Sequence, residues 1–75
     1  SEAAIKAEMR IKLQEALNGM DPVDREIIAL RHFEQLSGNE AASVLGLSKT
    51  GASSRYVRAI TRLKSILSQF PEFSD

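Results

Sequence analysis

Residues 37–62 read SGNEAASVLGLSKTGASSRYVRAITR. Ser37 and Glu40 stand at the S-x-x-E spacing of a capping box, in which each residue's side chain satisfies the other's orphan amide at a helix start. Ala41, Ala42, Val44 and Leu45 continue a short helix. Gly46 ends it, because the residue past a helix end often needs positive φ. Leu47 bridges the turn and Ser48 caps a longer helix rich in Arg and Ser. A short capped helix, a glycine turn and a second helix without acids make the layout of a helix-turn-helix whose second helix enters the DNA major groove. The small Ala42 lets the two helices cross closely, while Leu45 and Leu47 pin the turn to a core.

Working outward, no alternating strand pattern appears, and the chain reads as an all-α, four-helix domain. Ala3, Ile5, Met9, Leu13, Ala16 and Leu17 recur at helical steps from about Glu2 to Leu17, and Asn18-Gly19 closes that first helix. Asp21 caps a second, with Pro22 at its first position and Val23, Ile27, Ile28, Leu30 and Phe33 as its apolar face. In the last helix Ala52, Tyr56, Ala59, Ile60, Leu63, Ile66, Leu67 and Phe70 share one stripe, and Pro71 stops it. The helix-turn-helix thus spans about 37–67, and the tail from Glu72 to Asp75 is expected to fray.

Seventy-five residues make a single domain, 1–75, at the size where one core can be buried without staples. With no Cys there is neither a disulfide framework nor a Cys-ligated zinc site, and a lone His builds no metal cluster. No apolar run approaches the roughly 20 residues that span a bilayer, and no signal-peptide pattern opens the chain. The expectation is a cytoplasmic domain with no cofactor, no metal, no membrane partner and no small-molecule substrate. It is not expected to be an enzyme, since no nucleophile–base pair or phosphate loop can be assembled.

The formal net charge of zero hides an asymmetry. Up to Leu47 there are eight acids against five bases; from Ser48 to Phe70 there are Lys49, Arg55, Arg58, Arg62 and Lys64 and no acid. A solvated helix face normally mixes signs, so this one points to an anionic partner through its local field. Thr50, Gly51, Ser53 and Ser54 are short, which lets the helix backbone sink into a groove about 12 Å wide. The free amides and dipole end at Ser48–Gly51 suit a phosphate oxygen. Arg58 shares a face with Ser54 and reaches a guanine edge or a phosphate, and Val57 offers an apolar contact to a thymine methyl. Thr61 lies on the same broad side. Arg55, Arg62 and Lys64 are better placed for backbone phosphates, although Arg55 bridges equally well to an acid on the second or third helix. Gly51 reads alternatively as a tolerated helix defect.

These residues resemble region 4 of the sigma-70-family RNA polymerase sigma factors, of the extracytoplasmic-function type. The likeness runs through DREIIALRHFEQLS at 24–37, EAASVLGLS at 40–48 and SRYVRA at 54–59, covering most of the chain. Ser54, Arg55 and Arg58 match the family's S-R-x-x-R-A residue for residue. The chain departs at Ser53, where a Lys or Arg is usual, at Thr50-Gly51-Ala52, and at Gly38, where an aromatic is common. The resemblance implies binding of the minus-35 promoter element, docking on the β-subunit flap of RNA polymerase core through the apolar cleft of the first helices, and capture by an anti-sigma factor. Nothing resembles the region that melts the minus-10 element, so the chain is expected to be the C-terminal domain of a longer protein.

Two other readings stand beside this one. A response-regulator-type output domain also uses a helix-turn-helix, but binds as a dimer on paired half-sites. A helical protein-interaction module without DNA reading is motivated by Ser53, Gly38 and the zero net charge. His32 reads as a surface residue. Asp24 and Glu26, two apart and pointing different ways, read as partners of the helix dipole. The Phe70–Phe73 segment reads as an end packing on its own core, and any part of the first helix's stripe left exposed would mark a protein interface.

Overall fold

The computed structural model describes residues 1–73. Its elements are α1 (Glu2–Asn18), α2 (Pro22–Ile28), a π-helical turn (Ala29–Phe33), α3 (Gly38–Leu45), α4 (Lys49–Leu67) and a 3-10 turn (Pro71–Phe73). The four expected helices are all present, and there is no strand among the described residues. Helix α4 is the spine, packing against α1, α2 and α3.

Local chemistry explains each start. Ser1 Oγ accepts from the Ala4 amide, and Asp21 Oδ1 accepts from that of Val23. The capping box is complete: Ser37 Oγ accepts from Glu40 N at 3.1 Å, and Ser37 N donates to Glu40 Oε1 at 2.8 Å. Gly46 closes α3 at φ 68°, with Leu47 N donating to Ala42 O at 2.9 Å. That pairing satisfies carbonyls otherwise orphaned at a helix end.

The core is aliphatic and small. Ile27 and Ile28 are fully buried, Ala41, Ala42, Ala52 and Ala59 let the helices of the helix-turn-helix approach closely, and Leu17, Met20 and Leu63 tie in α1. Leu45 and Leu47 pack half-buried against this core, as their pinning role requires. Burial of each large aliphatic side chain stabilises by about 1.5–3 kcal/mol, which makes the isoleucine pair the anchor of so small a domain.

Asn18-Gly19 closes α1 as expected, with Gly19 as its cap in the right-handed region, φ −83°, and its amide donating to Glu15 O. The structure corrects the sequence reading at three places. The second helix does not run evenly to Phe33: at Ala29 it widens into the π turn, where Glu34 N donates to Ala29 O and Leu36 N to Leu30 O. Gln35 then takes φ 58°. In a widened turn the residue stacked above Leu30 lies more than four positions on, so Phe33 falls short of the buried stripe and is 55% exposed. Val23 and Ile5, expected on apolar faces, are also exposed, to 37% and 54%. Finally, α4 ends at Leu67 with Ser68 as its cap, four residues before Pro71. The segment expected to fray from Glu72 forms a 3-10 turn against α1 as far as Phe73, while Ser74 and Asp75 lie outside the described residues. Phe70 is held there by Lys12, whose ammonium lies 5.2 Å from the ring centre.

Candidate nucleic-acid interface

The front of α4 is built by its cap. Ser48 Oγ accepts from Gly51 N at 3.0 Å, which leaves the neighbouring Lys49 and Thr50 in solvent. A Cβ on Gly51 would come within 2.9 Å of that same Oγ, so a larger residue must displace the capping hydroxyl. Gly51 is therefore more than a tolerated defect: it leaves the cap undisturbed where the helix begins.

Behind the cap, Ser53, Ser54, Val57 and Arg58 together line one shallow open depression. All four are exposed, Val57 to 62%. The i, i+4 pairs Ser53–Val57 and Ser54–Arg58 put hydroxyls, a branched apolar side chain and a guanidinium on one surface. Thr61 and Arg62 extend it by a turn and are exposed. The Thr61 hydroxyl donates to Val57 O at 2.8 Å, which spends its donor on the helix. Lys49, Arg58, Arg62 and Lys64 make no ion pair among the described residues. Chemically, this surface offers free cations, hydroxyl donors and one apolar contact, with no carboxylate on its helix to repel an anion.

Two members of the expected set lie elsewhere. Arg55 turns inward, its Nη1 3.1 Å from Asp24 Oδ1 on α2, with the Arg and Asp side chains 35% and 23% exposed. The inward alternative is thus the one the structure adopts, and Asp24 serves as an ion-pair partner as well as a first-turn acid. Lys64 lines a groove with His32, Phe33 and Leu67, roughly 9 Å along the helix from Arg58.

Sequence reasoning missed Arg31. Its guanidinium donates to Leu36 O at 2.8 Å and lies 5.1 Å from the Tyr56 ring centre, so one side chain joins the π turn, the segment leading into α3 and the middle of α4. With Asp24–Arg55 beside it, α4 is fastened at two consecutive residues, Arg55 to α2 and Tyr56 to the π turn. No periodicity announces such a pairing, because its partners are separated by whole elements. Val44, on α3, stands in solvent, 60% exposed.

The family model for sigma-70, region 4, matches residues 10–63. The chain is 38% identical over 58 residues to an RNA polymerase sigma-E factor of Streptomyces antibioticus, covering 77% of this chain and 32% of the relative. A Streptomyces coelicolor sigma-E factor gives the same identity, at 77% and 33% coverage. RNA polymerase sigma factor NccH of Alcaligenes xylosoxydans is 41% identical over 56 residues, at 75% and 30%. The chain thus spans about a third of the length of these curated relatives. No solved structure gives a significant match. The capped helix-turn-helix, the acid-free α4 and these likenesses converge, and the chain belongs to the sigma-70 region 4 family.

Proposed function

We propose that this chain binds promoter DNA as the minus-35-reading, C-terminal domain of an RNA polymerase sigma factor, directing transcription initiation from the cytoplasm. The observation that carries the reading is the depression formed by Ser53, Ser54, Val57 and Arg58 just behind the cap of an acid-free helix. Ser54 and Arg58 read base edges and Val57 packs on a thymine methyl. Ser48, Lys49, Thr50, Gly51 and Arg62 bind phosphates and set register. Thr61 supports the edge of the contact, Lys64 contributes at its far end, and Arg55 acts through its hold on Asp24. The α1–α2 face docks on RNA polymerase core at the β-subunit flap, and an anti-sigma factor competes for the same chain.

Selection from a random duplex pool at moderate salt, wild type beside Arg58→Ala, tests the reading. A short consensus enriched by the wild type and lost in the variant is expected, with specific binding weakened by about 1–3 kcal/mol. Equal weakening on every sequence would remove Arg58 from base reading. No enrichment at all would make protein docking the leading account of the domain.

A further inference from the structure

A cleft of about 280 Å³ lies where α2, the π turn, the start of α3 and α4 meet. Ile27, Ala52 and Val57 supply its apolar lining, and Arg31, Tyr56 and Ser53 its polar groups. Gly38 completes it, and a Cβ built there would meet nothing within 4 Å, so the missing side chain leaves open room. Gly38 and Ser53 are two of the positions at which the chain departs from its family, and the fold brings both to this one place. Arg31 is the charged group of the lining, and no acid among the described residues joins it there. It is half-buried and makes no ion pair among the described residues. Its hydrogen bond to Leu36 O and its contact with the Tyr56 ring leave the rest of the guanidinium fork to a ligand. Ser53 and Val57 line both this cleft and the depression behind the cap of α4, so the two sites share residues.

From this arrangement we infer that the cleft binds a small, single-ring aromatic carboxylate, and that this ligand competes with DNA. The charge follows from Arg31. A guanidinium partly withdrawn from water and lacking an acid is satisfied best by a planar carboxylate, which meets its fork with two parallel bonds. The ring follows from the lining: Ile27, Ala52 and Val57 offer apolar cover, and Tyr56 offers an aromatic partner. The size follows from the volume, which falls just below the roughly 300–1,000 Å³ of pockets for drug-sized molecules. A ligand lying there takes up Ser53 and Val57, which the DNA contact also uses. The competition rests on the reading that the depression behind the cap contacts DNA; the ligand site stands without it.

The test follows the amide resonances of this chain, isotope-labelled, against benzoate, its neutral twin benzamide and the non-aromatic cyclohexanecarboxylate. Benzoate is expected to shift Gly38, Ser53 and Tyr56 to saturation. It should bind at least about tenfold more tightly than benzamide, since a charge-assisted bond is roughly twice as strong as a neutral one. Cyclohexanecarboxylate should bind more weakly than benzoate. Gly38→Phe, whose ring fills the room, should abolish the benzoate shifts, and Gly38→Ala should keep them. Both variants should melt no lower than wild type, because the position is open and glycine is the weaker helix former. Saturating benzoate should weaken binding of a duplex selected by the wild type at least about fivefold, and the duplex should weaken benzoate binding by the same factor. Equal binding of benzamide would overturn the role of Arg31, equal binding of cyclohexanecarboxylate the aromatic assignment, and shifts centred away from Gly38 the site itself. No benzoate binding, with Arg31→Met weakening the duplex, would give the cleft to a DNA phosphate and overturn the proposal. Benzoate and duplex bound together at unchanged affinity would overturn the competition alone. Benzoate bound at Gly38 by a chain that binds no duplex would overturn promoter reading and support the ligand site.

Discussion

Arg55 Nη1 and Asp24 Oδ1 lie 3.1 Å apart although 31 positions separate them, and they join the first turn of α2 to the second turn of α4. The contact lies between two partly covered side chains, so screening reduces its worth below that of a buried charged hydrogen bond. A double-mutant cycle with Asp24→Ala and Arg55→Ala, followed by chemical denaturation, should give a coupling of about 1 kcal/mol. Zero coupling would make the pair incidental. If the bridge aims α4, Asp24→Ala should also weaken DNA binding, without changing which sequence is preferred.

Glu40 supplies a pH dependence whose sign follows from its cap. The Ser37 amide donating to the carboxylate, with the Ser37 hydroxyl beside it, holds the Glu40 carboxyl below its ordinary 4.5. A carboxyl whose folded value is depressed stabilises fully above its unfolded value, and that contribution is lost as pH falls through the folded one. Melting curves from neutral pH downward should therefore show the wild type more stable than Glu40→Gln near pH 7. The two should converge below the ordinary carboxylate range. A constant gap across the range would show that the charge on the cap contributes nothing.

Two turn residues should respond in opposite directions. Gly46 sits at φ 68° with open space where a Cβ would go, so Gly46→Ala meets backbone strain rather than a clash. It should cost about 1–2 kcal/mol. Gln35 already bears such strain at φ 58°, and Gln35→Gly should stabilise by a net of about 0.5–1 kcal/mol once the added freedom of the unfolded chain is counted. Both values come from urea midpoints, and a destabilised Gln35→Gly would show that the glutamine side chain compensates its own backbone.

Arg62 is exposed, lacks an ion-pair partner among the described residues and lies one turn beyond Arg58. As a phosphate ligand it should set the salt dependence rather than the sequence preference. Arg62→Ala should flatten the slope of log K against log salt by about one, with the consensus unchanged. An unaltered slope would take Arg62 out of the contact.

Features written into a few neighbouring residues were legible in the sequence. Ser37–Glu40, Gly46, Ser48 and Asp21-Pro22 each state a cap or turn within four positions, and each is found in place. The exposed stripe of Ser53, Ser54, Val57 and Arg58 follows from helical spacing alone. What escaped depends on partners far along the chain. Whether Arg55 faces outward or toward Asp24 is settled by how α2 packs on α4. The π turn lacks a local signature, because it is stabilised by Arg31 reaching Leu36 O and Tyr56. The segment after Leu67 folds back because Phe70 finds Lys12 on α1, a pairing across most of the chain.

The widened turn at Ala29–Phe33 also carries a consequence for how such chains vary. One residue of an ordinary helix is worth about 100° of rotation, so a deletion inside that turn would tighten it and swing everything downstream out of phase with α1 and α2. Ile27 would still be buried, yet Asp24 would no longer meet Arg55, nor Arg31 meet Tyr56. Residues 29–36 thus behave as a phase-setting spacer of fixed length. Insertions and deletions among descendants of this chain should avoid it, and any transplant of the helix-turn-helix onto another scaffold must carry the spacer along.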